Sequence, residues 1–285
     1  MTRLIVHPAT KRELEAFKNS PSHALILLGS SGIGKLALAR ELLETILELP
    51  AGGFEDYVYG IVAAPEDGKA IGIEVIRELE HFLSLKVPST ADYHRAIIIQ
   101  DSHKLTAEAQ NALLKTLEEP PVGTIIVLTA DHALSLLPTI RSRSQAITVK
   151  SPGLEVLEAY FEAEGATSKE IKQAYAVSGG LPGLMSAILR DQDHPLLLAT
   201  QRARELLGQS TYDRLLSVDE LSKQKDLTTD LLFILQQMAH VSLQSSTGVA
   251  AKKWQSVLEL SYETAQKLAV SAQPKLALTN LMLNI

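Results

Sequence analysis

The feature that most constrains this chain is the order apolar strand, glycine loop, helix over residues 22–47. Ser22-His23-Ala24-Leu25-Ile26-Leu27-Leu28 is a continuous apolar run of strand length that stops at Gly29. Unbroken rather than alternating apolarity predicts a strand buried on both faces, as in a parallel sheet. From Lys35 onward, Leu38, Leu42, Leu43, Ile46 and Leu47 recur at three and four, which predicts a helix. Between them, Gly29-Ser30-Ser31-Gly32-Ile33-Gly34-Lys35 fits G-x-x-x-x-G-K in the strand-to-helix setting that a phosphate-binding loop requires. Such a loop aims successive backbone N–H groups at phosphate and adds a lysine ammonium. Gly29, Gly32, Gly34 and Lys35 are therefore the expected phosphate-binding residues.

Two parts that hydrolysis needs are missing. Position 36 is Leu, where a Ser or Thr hydroxyl would hold Mg²⁺ on the phosphates. Downstream, the apolar strand Ala96-Ile97-Ile98-Ile99 leads to Asp101, a candidate for holding a metal-bound water, but Ser102 follows. A serine hydroxyl stays protonated near neutral pH and does not act as a base toward water. His103 is the one nearby substitute, and its expected place is a surface position at a helix entry. The expectation is a nucleotide-binding scaffold without ATPase activity of its own. It needs no cofactor, and residual ATP or ADP binding stays open.

The remaining pattern predicts an α/β protein with several domains. Strands are expected at 57–63, 96–100, 124–129 and 146–149, alternating with helices at 10–19, 71–86 and 106–119, the last capped by Thr106 and stopped by Pro120-Pro121. That alternation predicts a parallel sheet over residues 1–150. Ser151-Pro152-Gly153 marks a boundary, and strand pattern ceases beyond it. Residues 151–193 read as a small helical lid, with helices at 154–164, 168–177 and 182–190. His194-Pro195 marks a second boundary, and 194–285 reads as an all-α domain. Its stripes Leu231, Leu235, Met238 and Trp254, Leu258, Ala265 offer more apolar surface than one small helical layer needs, which predicts association with partners.

Composition narrows the classes further. A hydrophobic content of 46% over 285 residues predicts folded domains. The absence of Cys excludes disulfides, iron–sulfur clusters and cysteine zinc sites. No run of about 18 apolar residues exists to span a membrane, and the first eight residues hold too short an apolar run for a secretory signal. A cytoplasmic protein is expected. With 27 basic against 33 acidic residues, the net charge of −6 argues against a protein that binds DNA alone. The groupings Arg141/Arg143, Lys223/Lys225 and Lys252/Lys253 read as solvated faces, and any nucleic-acid contact as minor or shared within an assembly.

Three segments carry a family resemblance: Gly72-Ile73-Glu74-Val75-Ile76-Arg77-Glu78-Leu79, the run Thr106-Ala107-Glu108-Ala109-Gln110-Asn111-Ala112-Leu113-Leu114-Lys115-Thr116-Leu117-Glu118-Glu119-Pro120-Pro121, and Ile140-Arg141-Ser142-Arg143-Ser144. They resemble the clamp-loader branch of the AAA+ proteins over about residues 1–190. With the depleted site, they are most similar to the delta-prime subunits of bacterial DNA polymerase III. The resemblance implies an AAA+ module, a lid and a helical collar. It also implies a catalytically silent subunit of the polymerase holoenzyme that supports ATP-dependent loading of the sliding clamp on primed DNA.

Residue by residue, Ser142-Arg143-Ser144 stands where clamp loaders carry Ser-Arg-Cys, so the resemblance makes Arg143 an arginine finger reaching a neighbour's ATP site. Thr129 stands near the family's first nucleotide-sensing position. Gly183-Leu184-Met185 lacks the second sensor's Arg. The family's four-cysteine zinc module has no counterpart here, so no zinc is expected. The implied partners are a gamma/tau-like ATPase and a delta-like subunit, with the sliding clamp and primer-template DNA reached indirectly. The alternative reading is an active AAA+ ATPase such as a gamma-like loader subunit or a branch-migration motor, against which Leu36 and Ser102 speak. A small-molecule P-loop kinase would need an Arg-rich lid and no collar.

Overall fold

The computed structural model describes residues 4–65, 70–87, 91–190, 196–269 and 273–285. The chain divides into two compact units, Met1–Ser151 and Pro152–Ile285. The His194-Pro195 boundary lies outside the described residues.

The first unit opens with helix α1 (Pro8–Asn19), then strand β1 (Ala24–Leu28), α2 (Lys35–Ile46), β2 (Gly60–Ala63), α3 (Ile73–Ser84), β3 (Arg95–Ile99), α4 (Ala107–Glu118), β4 (Thr124–Ala130), α5 (Pro138–Ser142) and β5 (Gln145–Thr148). The strands form one five-stranded sheet in the order β2-β3-β4-β1-β5, with every pairing parallel. Parallel strands need crossover connections, and the helices supply them. In the register, Leu27 pairs with Thr129 on one side and Ile147 on the other, so β1 lies between β4 and β5. β3 and β4 are buried throughout, as unbroken apolar runs require. Ile76 and Leu79 of α3, Leu113 and Leu117 of α4, and Ile97, Ile126 and Leu128 of the sheet share one core. Each such aliphatic side chain contributes roughly 1.5–3 kcal/mol on burial.

Two buried polar groups fasten this unit. The Thr10 hydroxyl donates to the Thr148 carbonyl at 3.2 Å and accepts from the Lys150 N–H at 3.0 Å, tying α1 to the exit of β5. Arg95 is buried at the start of β3 and donates to the Leu83 carbonyl at 2.6 Å and to the Leu85 carbonyl. A cation there suits the carbonyl end of α3, although burial lowers its pKa from the ordinary value.

The second strand is shorter than expected. Tyr57 precedes β2: the Gly60 N–H bonds the Tyr57 carbonyl at 2.9 Å, closing a turn before the strand, and the Tyr57 hydroxyl donates to the His94 carbonyl at 2.8 Å.

The second unit is helical: α6 (Leu154–Ala163), α7 (Ser168–Ser178), α8 (Pro182–Arg190), α9 (Leu197–Gly208), α10 (Thr211–Leu216), α11 (Val218–Leu221), α12 (Lys225–Ser245), α13 (Gly248–Ala269) and α14 (Pro274–Asn284). Thr167 and Glu170 form a reciprocal capping box that starts α7. The helix ends at Gly179, whose φ of 64° is left-handed and where an added Cβ would meet the Gln237 Cβ at 2.2 Å. Only glycine meets both demands, and it lets the end of α7 lie directly on α12.

The α12 stripe is not free surface, contrary to expectation. Leu231, Leu235 and Met238 are buried, since α12 packs against α9, α13 and α7 of its own unit. On α13, Val257, Ser261 and Thr264 are fully buried, while Trp254, Leu258 and Ala265 are half-buried. Exposed large apolar groups lie elsewhere in this unit, among them Tyr212 and Leu216 on α10 and Leu276 and Leu283 on α14, besides Leu198 on α9 and Val249 and Tyr262 on α13.

Candidate functional site

The glycine loop leaves β1 at Gly29 and enters α2 at Gly34. A side chain at Gly29 would lie 2.8 Å from the Val149 carbonyl oxygen, so the loop passes the exit of β5 too closely for any residue but glycine. Gly34 is the cap of α2 with φ 95°, a left-handed conformation that turns the chain into the helix. Lys35 begins that helix, and its side chain is 7% exposed. Its ammonium donates to the Gly29 carbonyl at 2.5 Å, the Ser30 carbonyl at 3.1 Å and Asp131 Oδ1 at 2.9 Å.

An ammonium has three protons, and these three acceptors match them. Leu36 beside it carries no oxygen for a metal. Lys35 is thus engaged by three acceptors of its own unit, and Leu36 places an isobutyl group where the pattern has a metal-binding hydroxyl.

The strand ends facing this loop are bound to each other. Asp101 has φ 49°, left-handed for a non-glycine residue. Its backbone N–H donates to Thr129 Oγ1 at 3.0 Å, and Ser102 Oγ donates to the Thr129 carbonyl at 2.8 Å. Thr129 and Ser102 are both buried. Thr129 thus acts as a clasp between the ends of β3 and β4, and the Ser102 hydroxyl is committed to a carbonyl rather than pointed at a water. The Asp101 carboxylate has Lys104 at 3.8 Å.

His103, expected on the surface, has a side chain only 19% exposed and places Nε2 3.6 Å from Asp131 Oδ2. The short 3-10 turn Ser102–Lys104 faces it inward. Burial lowers its pKa from the ordinary value, against the opposing pull of Asp131 and Asp101. Among the described residues, no group of three or more His, Cys, Asp or Glu is arranged to hold a metal ion, and no helix is long and apolar enough to cross a membrane.

The second candidate element is the turn after α5. The Arg143 N–H caps α5 on the Ile140 carbonyl at 3.2 Å, and its guanidinium donates to the Thr139 carbonyl at 3.1 Å. Its Nη2 lies 2.6 Å from Glu118 Oε1, the side chains being 35% and 50% exposed. Gln110 places this turn from below. Buried in α4, it accepts from the Leu137 N–H at 2.9 Å and donates toward the Leu105 and Ser135 carbonyls at 3.3 and 3.4 Å. These bonds fix the residues that lead into α5.

The structure therefore brings Gly29, Lys35, Asp101 and Thr129 to one end of the sheet. Arg143 sits in a separate cluster with Glu118. Sequence reasoning missed Asp131, Glu118 and Gln110. Glu118 and Gln110 lie inside the run from Thr106 to Pro121 that carries the resemblance, whereas Asp131 carried no motif signal.

Comparison with known proteins places this geometry. Residues 8–153 match the model of the family described as DNA polymerase III, delta subunit. DNA polymerase III subunit delta' of Haemophilus influenzae is 30% identical over 186 residues, covering 59% of this chain and 55% of that protein. The chain belongs to the DNA polymerase III delta' family. A gamma/tau subunit from Mycobacterium tuberculosis is 31% identical over 137 residues, 43% of this chain and 23% of that protein. The match therefore spans about half the length of the delta' relative and less of the gamma/tau one. A gamma subunit-related protein from Thermotoga maritima superimposes with a TM-score of 0.51 at 21% identity, covering 94% of this chain and 97% of that one. That likeness gives the fold, which is the AAA+ fold expected for the delta' family.

Proposed function

We propose that this delta'-family chain is a catalytically silent clamp-loader subunit. It supports ATP-dependent loading of the sliding clamp on primed DNA and lends Arg143 to the ATP site of a neighbouring gamma/tau-like subunit. A delta-like subunit is the other expected neighbour. The observation that carries this reading is the state of the two hydrolytic positions. Leu36 has no metal-binding oxygen, and the Ser102 hydroxyl is buried on the Thr129 carbonyl. At these two positions neither the metal-binding hydroxyl nor the general base of a hydrolysing site is present.

Arg143 by contrast is a half-exposed guanidinium held by a surface carboxylate and one carbonyl. A guanidinium supplied by a neighbour stabilises charge on a transferring phosphoryl group, and it couples hydrolysis to assembly. On this reading Asp101 and Thr129 remain as a structural clasp of a former nucleotide site.

The second unit supplies the assembly surface. Tyr212 and Leu216 lie four residues apart on one face of α10, which packs against α14, where Leu276 and Leu283 are exposed. Residues 151–193 serve as the lid and 194–285 as the collar.

Phosphate release by the purified chain with Mg-ATP tests the silent site. The expected result is no turnover above background, with turnover appearing when the gamma/tau-like ATPase is added. Turnover by the chain alone near ~1 per second, lost in Lys35→Ala, contradicts the proposal.

A further inference from the structure

Lys35 is a buried cation whose every proton is already held within its own unit. Two of its acceptors are loop carbonyls, which are neutral. The third, Asp131 Oδ1 at 2.9 Å, carries the compensating charge. Asp131 follows β4 directly and reaches Lys35 across 96 residues of sequence. Its second oxygen faces His103 at 3.6 Å, and its side chain stays 34% exposed while that of Lys35 is closed off.

We infer that Asp131 is a built-in counter-anion that occupies the place of a nucleotide's terminal phosphate on Lys35, so that the chain closes its own phosphate loop against polyphosphates. The inference rests on the silent-site reading and deepens it, moving the block from hydrolysis to binding.

Asp131 opposes an incoming polyphosphate in two ways. It holds the proton that a phosphate oxygen would accept, and it leaves a carboxylate charge beside the arriving anion. Asparagine in its place keeps the size and the acceptor oxygen but removes the charge. The ammonium is then buried without an anion and recruits one from solution. Leu36 plays no part in this, because no metal is needed for a phosphate oxygen to meet an ammonium.

The test is calorimetric titration of the full chain with sodium tripolyphosphate and with ATP, in EDTA and in Mg²⁺. Wild type is expected to show no Lys35-dependent binding. Asp131→Asn is expected to bind about 10- to 100-fold more tightly, the scale of one charge-assisted hydrogen bond, and Lys35→Met in the same chain should abolish the gain. As a second reading, Asp131→Asn should melt lower than wild type and be restored by tripolyphosphate, which leaves wild type unmoved.

Affinity of Asp131→Asn no higher than that of wild type overturns the inference. If Asp131→Asn does not fold, Asp131→Ser and wild type decide. Wild-type binding of tripolyphosphate that Lys35→Met abolishes would show the ammonium to be free and overturn the inference. The two readings separate cleanly. Binding with hydrolysis in Asp131→Asn upholds the counter-anion and sinks the silent site, whereas neither binding nor hydrolysis does the reverse.

Discussion

Arg143 Nη2 lies 2.6 Å from Glu118 Oε1, joining the turn after α5 to the last residue of α4. A carboxylate at the carbonyl end of a helix is unfavourably placed, and the guanidinium offsets it. With both side chains a third or more exposed, the pair contributes only about 0–1 kcal/mol to stability. Glu118→Gln should therefore leave the melting temperature nearly unchanged. In the proposed function Glu118 is a resting partner from which Arg143 departs, so this variant should not lower ATP turnover in the assembled loader. A loss as large as that of Arg143→Ala would make Glu118 part of the working site instead.

Thr10→Val tests the fastening of α1. The substitution conserves shape but leaves the Thr148 carbonyl and the Lys150 N–H without the buried hydroxyl they share. An expected cost of about 1–3 kcal/mol would be read from urea unfolding. A change below the error of that measurement would mean water or a backbone shift replaces both bonds.

His103 should make stability depend on pH. Its folded-state pKa is lowered by burial, with Lys104 and Lys35 adding to this and Asp131 and Asp101 opposing it. The unfolded chain takes up a proton near the ordinary value of about 6.5, while the folded chain resists it. The contribution is thus fully present above pH ~6.5 and is lost as pH falls below that value toward the folded pKa. His103→Gln should flatten the stability curve below about pH 6.5. Parallel curves for the two proteins would remove His103 from the account.

The sheet was legible in the sequence because strands buried on both faces leave an unbroken apolar signal, as in Ala24–Leu28 and Thr124–Ala130. Turn chemistry was legible too: Thr106 caps α4 by accepting from the Ala109 N–H at 3.2 Å. Tyr57 misled because an aromatic residue beside a strand looks the same whether its backbone pairs in the sheet or turns ahead of it, as the Gly60 N–H on the Tyr57 carbonyl makes it do. The α12 stripe gave the apolar face but not what covers it, since periodicity carries no information about the facing helix. Asp131 was illegible for a deeper reason. A charge that pairs across 96 residues leaves no local spacing to read.

Assembly should depend on α10 and α14 rather than on the buried stripe of α12. Tyr212→Glu with Leu276→Glu changes two groups that are each 70% exposed, so the fold should hold. The variant is expected to melt like wild type and to elute apart from the gamma/tau-like ATPase on size exclusion. Full co-elution would place the interface elsewhere.

In the proposed function Arg143 works outside its own chain. The most direct test of this role is clamp- and DNA-stimulated ATP turnover by the reconstituted loader containing Arg143→Ala. Assembly should be unchanged and turnover at the completed site should fall on the order of 10³–10⁵-fold, diluted in the total by any other active sites. Arg143→Lys should rescue poorly, because an ammonium lacks the planar fork of the guanidinium, and Arg141→Ala should matter less. Turnover by Arg143→Ala equal to wild type would make Arg143 a surface cation paired with Glu118, with no role at a neighbour's ATP site.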